Sequence, residues 1–237
     1  MNNLWRIKLM FRKFFVIGMV CLMSLSIMAL TTDAQTPVTG PYLWMVAPCE
    51  PNQGGQNSTD VDSLDVASNG DVTEEMVAKK GAREGDVVGD YEWTTGTLPA
   101  DGNINAMLIT IGMVQNADLN DISSYALIVL RTNKAQPNVD MGVSSDDSIK
   151  VWANGEEVHK NAVNRGRGAA GAYQDRFKIN LEKGNNLLMI KVSERGGGWG
   201  MYVGVAGDYD IVGIDAVLPV EPADKLTTQW AEIKNIR

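Results

Sequence analysis

The chain has 237 residues, with 21 Lys and Arg against 29 Asp and Glu, one His, and a formal net charge of -8 at pH 7. Hydrophobic residues at 44% and charged residues at 21% are ordinary globular proportions, which excludes a coiled coil or wholesale disorder. The acidic excess argues against nucleic acid and membrane surfaces as partners, and one His (His159) with two Cys (Cys21, Cys49) excludes Cys-rich zinc modules and His-triad metal sites.

Basic residues Arg6, Lys8, Arg12 and Lys13 precede an apolar run from Phe14 to Leu30, and small or polar residues follow up to Ala34. Segment 1–34 therefore reads as a secretory signal cleaved after Ala34. Val20 before Cys21 does not suit a lipoprotein signal. The competing reading is an uncleaved anchor, for which the run is at the short edge of bilayer-spanning length. Cleavage leaves 17 basic and 28 acidic residues, and Cys49 as the remaining thiol, so no intrachain disulfide is expected and the core alone must hold the fold. No membrane insertion is expected after cleavage.

Residues 35–40 form a linker, and Tyr42–Ala47 reads as a first strand. From Pro48 to Val72 the composition turns to Gly, Asn, Ser and Asp, which is surface loop. One helix follows, capped by Asp71 with Glu74 completing a capping box, Lys79 and Lys80 in the last turn, and Gly81 ending it. Segment 90–95 is a strand containing Trp93, whereas 104–114 is ambiguous between strand and helix. Strands are then expected at 125–131, 139–144, 148–153, 156–160, 174–181, 186–193 and 199–205. This strand–turn spacing with almost no helix gives an all-β class: a single antiparallel jelly-roll-like β-sandwich over 41–212 with one short helix. Residues 213–237 read as a C-terminal tail with an amphipathic stretch through Leu226, Trp230 and Ile233.

Asn154-Gly155 between β-rich flanks is a strong hairpin signal, because a type I′ turn needs φ > 0 at both central residues. It pairs Ala153 with Glu156, Trp152 with Glu157, Val151 with Val158 and Lys150 with His159. Val151 and Val158 then face the core, while Trp152, Glu157, Lys150 and His159 share the other face. A Trp beside carboxylates there is a stacking platform for a sugar ring or, alternatively, packs under a neighbouring loop.

The run Ser145 to Val158, with Arg165-Gly166, Gln174-Asp175, the 181–188 segment (Leu181, Gly184, Asn186, Leu188) and Gly196-Gly197-Gly198-Trp199-Gly200, resembles exported bacterial jelly-roll modules of the galactose-binding-like and PA14-like group. The resemblance is best over 120–206. It implies a carbohydrate-binding or adhesion domain. In PA14-like lectins an adjacent Asp-Asp pair binds calcium, which holds sugar hydroxyls, and Asp146 and Asp147 match that pair. A second calcium loop has no match here.

Two neighbouring carboxylates repel, and a calcium ion, which takes six to eight oxygens, is one reason to keep them together. The other is structural: accepting backbone N–H bonds at a turn, or pairing with Arg165 or Arg167. The glycine run 196–198 lacks the following helix of a nucleotide loop, and Trp199 shares strand parity with Met201, Val203 and Val205, as a core cap would. A single His leaves no plausible catalytic triad, and Glu156 and Glu157 sit on opposite faces of one strand, so they cannot flank a glycosidic bond.

The expected function is an exported non-catalytic carbohydrate-binding module, with calcium as the assisting ion at Asp146 and Asp147. Its sugar contacts are Trp152, Asn154, Glu157 and Arg165, and its partner is a polysaccharide or glycan. The alternative is a structural or adhesive cell-surface module, without a sugar site, whose partner is a cell-surface protein.

Overall fold

The computed structural model describes residues 35–115 and 119–214. The expected signal, and the tail beyond Ile214, lie outside the described residues.

Among the described residues the chain builds two large antiparallel sheets and a small two-stranded one, with a further layer packed on one of the large sheets. The strands are β1 (Thr36–Pro37), β2 (Tyr42–Pro48), β3 (Val87–Val88), β4 (Tyr91–Glu92), β5 (Thr94–Gly96), β6 (Ile122–Thr132) and β7 (Gln136–Asp146). They continue with β8 (Ser148–Ala153), β9 (Glu156–Asn161), β10 (Asp175–Leu181), β11 (Gly184–Glu194), β12 (Gly200–Val205) and β13 (Asp210–Val212). One sheet has the order β1-β12-β7-β10. The other runs β5-β2-β6-β11-β8-β9, with β13 also paired to β6. The all-β antiparallel class read from the sequence is the class observed.

Alternation explains the interior. Tyr42, Trp44 and Val46 of β2, Ala126, Ile128 and Leu130 of β6, and Leu188, Ile190 and Val192 of β11 face the other sheet. There they meet Met141 and Val143 of β7 and Met201, Val203 and Val205 of β12. Trp199 joins this core, as its parity required. The opposite faces of the same strands are apolar too, with Leu43, Met45, Tyr125, Leu127, Val129 and Met189 packed against Leu64, Val77 and Trp93. Strands covered on both faces read as continuous apolar runs rather than clean alternation.

That further layer holds helices α1 (Ser63–Ser68) and α2 (Glu74–Lys80). A third helix, α3 (Ile104–Thr110), resolves the ambiguous segment and packs its Ile104, Met107 and Leu108 into the sandwich. The single expected helix is thus one of three α-helices among the described residues. Its N-cap is Thr73, whose side chain accepts the Met76 N–H, rather than Asp71. Helix α1 falls in a stretch whose composition reads as loop, because its cap Asp62 and one buried apolar residue, Leu64, are too short a signal to stand out. The linker is also corrected, since Thr36 and Pro37 pair with Val205 and Gly204.

The hairpin between β8 and β9 turns where expected, with Asn154 at φ 51° and Gly155 at φ 85°. Ala153 pairs with Glu156 and Trp152 with Glu157, as the turn required. The register then shifts by one, so Val151 pairs with His159 and Lys150 with Lys160, not with Val158 and His159. A bulge inserts one residue and flips everything after it to the other face. His159 consequently stacks on Phe177, ring centroids 4.5 Å apart, and lies 3.2 Å from Asp175 instead of sharing a face with Trp152.

Candidate functional site

The sequence nominated six residues, and the fold separates them into two groups. Asp146 and Asp147 sit where β7 passes into β8, whereas Asn154 lies at the far end of β8. A six-residue strand puts about 20 Å between those ends.

At the hairpin end, Trp152 is 6% exposed and belongs to the layer between the sheet and α2. The Lys150 ammonium lies 4.9 Å from its ring centroid. It offers no free face to a sugar ring, which corrects the platform expectation. The Asn154 amide is spent on the Asn186 side chain and the Leu187 N–H, at 2.9 Å each. Glu157 is exposed and lies 3.4 Å from Lys150. These three do not form a binding surface.

Arg165 belongs to the other end. Its guanidinium grips both carboxylate oxygens of Asp175 and also donates twice to Ser145 Oγ. Burial pulls the Asp175 pKa up, but the bonds from Arg165, His159 and Asn161 outweigh it and hold the carboxyl below its ordinary value. Arg165 is therefore a strut rather than a free contact for ligand, and its backbone N–H reaches Asp147 Oδ1 at 3.1 Å.

Asp147 Oδ2 accepts a second backbone N–H, from Arg195, at 2.8 Å. The Arg195 side chain is in turn held by Asp121 at 2.9 Å and Asn52 at 3.1 Å. Asp121 also accepts the N–H groups of Asn52 and Gly54. Two loops, 162–167 and 195–199, are thus fastened to one carboxylate. Asp146, joined to Asp147 by a cis peptide, has a side chain 19% exposed. Its Oδ2 lies 3.7 Å from Arg167, and a Cβ added at Gly198 would come within 3.0 Å of that oxygen. The glycine there lets the main chain approach the carboxylate closely. Arg167 also donates to the Asp101 carbonyl and lies over the Tyr202 ring at 5.9 Å.

Glu194, which the sequence reading missed, completes the cluster. Ser193 pairs with Ser148, so the next rung brings Glu194 beside Asp147. Its parity with Leu188, Ile190 and Val192 turns it inward, and it is fully buried with both carboxylate oxygens unpartnered. A charged residue ending an inward apolar series was the legible signal. Burial, then Asp147 and Asp146, push its pKa up to about 8, and the Gly196 N–H faces it without reaching hydrogen-bond geometry. Asp146 is pushed up to about 6 by burial and by Asp147, against the pull of Arg167. Burial also raises Asp147, against its two backbone bonds and Arg195. The three carboxylates are short of positive charge, because Arg165 and Arg195 are committed to other aspartates.

Among the described residues no group of three or more His, Cys, Asp or Glu side chains is arranged to hold a metal ion. A cation here would take the Asp pair and draw its remaining oxygens from main-chain carbonyls or from ligand hydroxyls. Two grooves, of about 360 Å³ between the β3–β4 hairpin and Ile111–Met113 and about 290 Å³ between that hairpin and α2, are lined by neither the Asp pair nor Trp152. No helix among the described residues is long and apolar enough to cross a membrane.

No protein-family model matches the sequence, and no curated protein matches it. Among solved structures the chain is similar to the PA14 domain of the MpAFP antifreeze protein, with 12% identity, TM-score 0.42, and 76% of this chain and 91% of that one covered. It is similar to a PA14 sugar-binding domain from an RTX adhesin, with 12% identity, TM-score 0.40, and coverage of 74% and 96%. It also resembles part of a β-glucuronidase of Faecalibacterium prausnitzii, with 12% identity, TM-score 0.34, and coverage of 68% and 21%.

Proposed function

We propose that the chain is an exported, non-catalytic carbohydrate-binding module whose ligand sits on the rim at Asp146 and Asp147, with calcium as the assisting ion. The observation that carries this reading is the shortage of positive charge at that rim. Asp146 and Asp147 stand on adjacent residues, partly buried, with pKa values raised despite the arginines around them.

The donor set fits a hard cation. It consists of two carboxylates, with no sulfur or imidazole, and calcium takes six to eight oxygens. Asp146 and Asp147 would hold the ion, which would supply a positive centre for pairs of sugar hydroxyls. Arg165 and Arg195 act on Asp147 from behind through their N–H groups, fixing its orientation. Arg167 and Tyr202 flank Asp146 on the open side and supply a donor and an aromatic edge to a ligand lying across the rim. A glycan array run in calcium and again in chelator tests the reading: binding lost in chelator supports it, and no glycan binding in either condition rejects it.

One observation favours a second reading, a structural or adhesive module without a sugar site. Each oxygen of Asp147 already accepts a backbone N–H, so that carboxylate has a complete structural task without an ion. On this reading calcium changes neither binding nor stability.

A further inference from the structure

We propose that the groove between α2 and the β3–β4 hairpin is a docking site for this chain's own segment 225–237, outside the described residues, seated through Leu226, Trp230 and Ile233.

The groove, of about 290 Å³, is built mainly from apolar side chains. Val77, Val88 and Trp93 line it and are buried, whereas Met76 and Val87 line it at 41% and 64% exposure. Val87 is the most exposed large apolar side chain among the described residues. Apolar side chains gathered in a concave surface, rather than scattered singly, mark an interaction site, because covering them removes apolar area from water.

The described chain ends in the same apolar layer. Strand β13 pairs with β6 on the side that β2 occupies farther along, since β11 takes the other side along the whole of β6. It advances from Arg131 to Val129, toward Leu127. The partner of Leu127 is Leu43, which pairs in turn with Thr95, two residues from Trp93. Ile214 is accordingly 8% exposed and belongs to one apolar cluster with Val77, Ala82, Val88 and Trp93, all of which line the groove. Leu226 follows Ile214 by twelve residues, up to about 40 Å of extended chain, which is as wide as a domain of this size.

The sequence of the segment suits the groove. Leu226, Trp230 and Ile233 recur at i, i+4 and i+7, the spacing by which an amphipathic helix anchors in an apolar groove. Beyond Ile233 the segment is basic, with Lys234 and Arg237. The hairpin and its approach are acidic, with Glu84, Asp86, Asp90 and Glu92 against Arg83. Opposite signs favour encounter and fix which way the segment lies.

The experiment is amide hydrogen exchange by mass spectrometry on the full chain, compared with Trp230→Ala and, on the groove side, Val87→Asp. Truncating an anchoring aromatic weakens such docking by about tenfold. The expected result in Trp230→Ala is exchange about tenfold faster in the last turn of α2 and the β3–β4 hairpin, with β6 and β11 unchanged. In Val87→Asp, exchange should quicken across 226–233. Equal exchange in parent and Trp230→Ala overturns the proposal, and so does unchanged exchange across 226–233 in Val87→Asp. Acceleration that spreads into β6 and β11 is general destabilisation and overturns it as well. Groove protection that fades on dilution overturns it too, by moving the segment onto a second copy of the chain.

Discussion

Arg195 donates its backbone N–H to Asp147 Oδ2 at 2.8 Å, while its side chain is held 2.9 Å from Asp121. Arg165 repeats the arrangement on the other oxygen, with its side chain on Asp175. One carboxylate therefore sets the position of two loops, and an arginine braces each loop from the far side. Replacing Asp147 by Ala removes both charge-assisted bonds and should cost about 2–4 kcal/mol. Urea denaturation gives the loss, and amide exchange should quicken at Arg165 and Arg195 before it does in the strands. Unchanged protection at both amides would show that the loops are held by other contacts.

Calcium separates the two functional readings. If the ion joins Asp146 and Asp147, a hundredfold excess over its dissociation constant should stabilise the fold by about 2.7 kcal/mol. The double replacement Asp146→Asn, Asp147→Asn should abolish that gain together with any ion-dependent glycan binding. Absence of both heat and thermal shift at millimolar calcium would eliminate the ion and leave the structural or adhesive reading.

Gly155 carries φ 85°, and a Cβ there would also meet the Lys79 side chain at 2.5 Å. Gly155→Val should cost about 1–2 kcal/mol, because a β-branched residue resists positive φ and the Lys79 stem must move aside. The melting temperature measures this, and an unchanged value would mean that the turn tolerates a left-handed valine.

Lys191, 1% exposed, donates to Glu74 at 2.7 Å and to the Ser58 carbonyl at 2.8 Å, and Tyr125 donates to the same Glu74 oxygen at 2.8 Å. Glu74→Gln leaves a buried ammonium without its counter-charge and should cost about 3–5 kcal/mol. Lys191→Met should cost less, because Lys150, 3.7 Å from Glu74, remains to pair with it. Chemical denaturation of the two variants checks the order, and the reverse order would refute the assignment of Lys150 as reserve partner.

Asp175 fixes the sign of one pH effect. Its carboxyl is held below its ordinary value, so it binds fewer protons folded than unfolded. The stability it contributes is complete above the ordinary carboxylate range and is lost as pH falls through the lowered folded value. Asp175→Asn should remove this share of the acid sensitivity, giving a shallower fall in melting temperature below about pH 4. A curve parallel to the parent would show that other carboxylates carry the acid transition.

Period-two alternation and the turn residues sufficed for the antiparallel class, the positions of the longer strands, the Asn154-Gly155 turn and the inward placement of Trp199, because each is decided by neighbours within a few residues. The Asp146–Asp147 pair was legible as a local oddity for the same reason. What the sequence could not show is which faces are covered twice. Trp152 lies on the polar-looking side of its hairpin, yet helices from residues 63–80 close over that side and bury it. The bulge after Val151 turned His159 toward Phe177 and Asp175, which a register counted from the turn alone cannot foresee. Arg165 reads in the sequence as a sugar contact or a partner of the Asp pair, whereas in the folded chain its guanidinium is taken by Asp175. Tertiary structure alone placed Glu194 one rung from Asp147 with its cations spent elsewhere, since a group's charge balance depends on side chains brought together across strands, and sequence spacing carries no record of them.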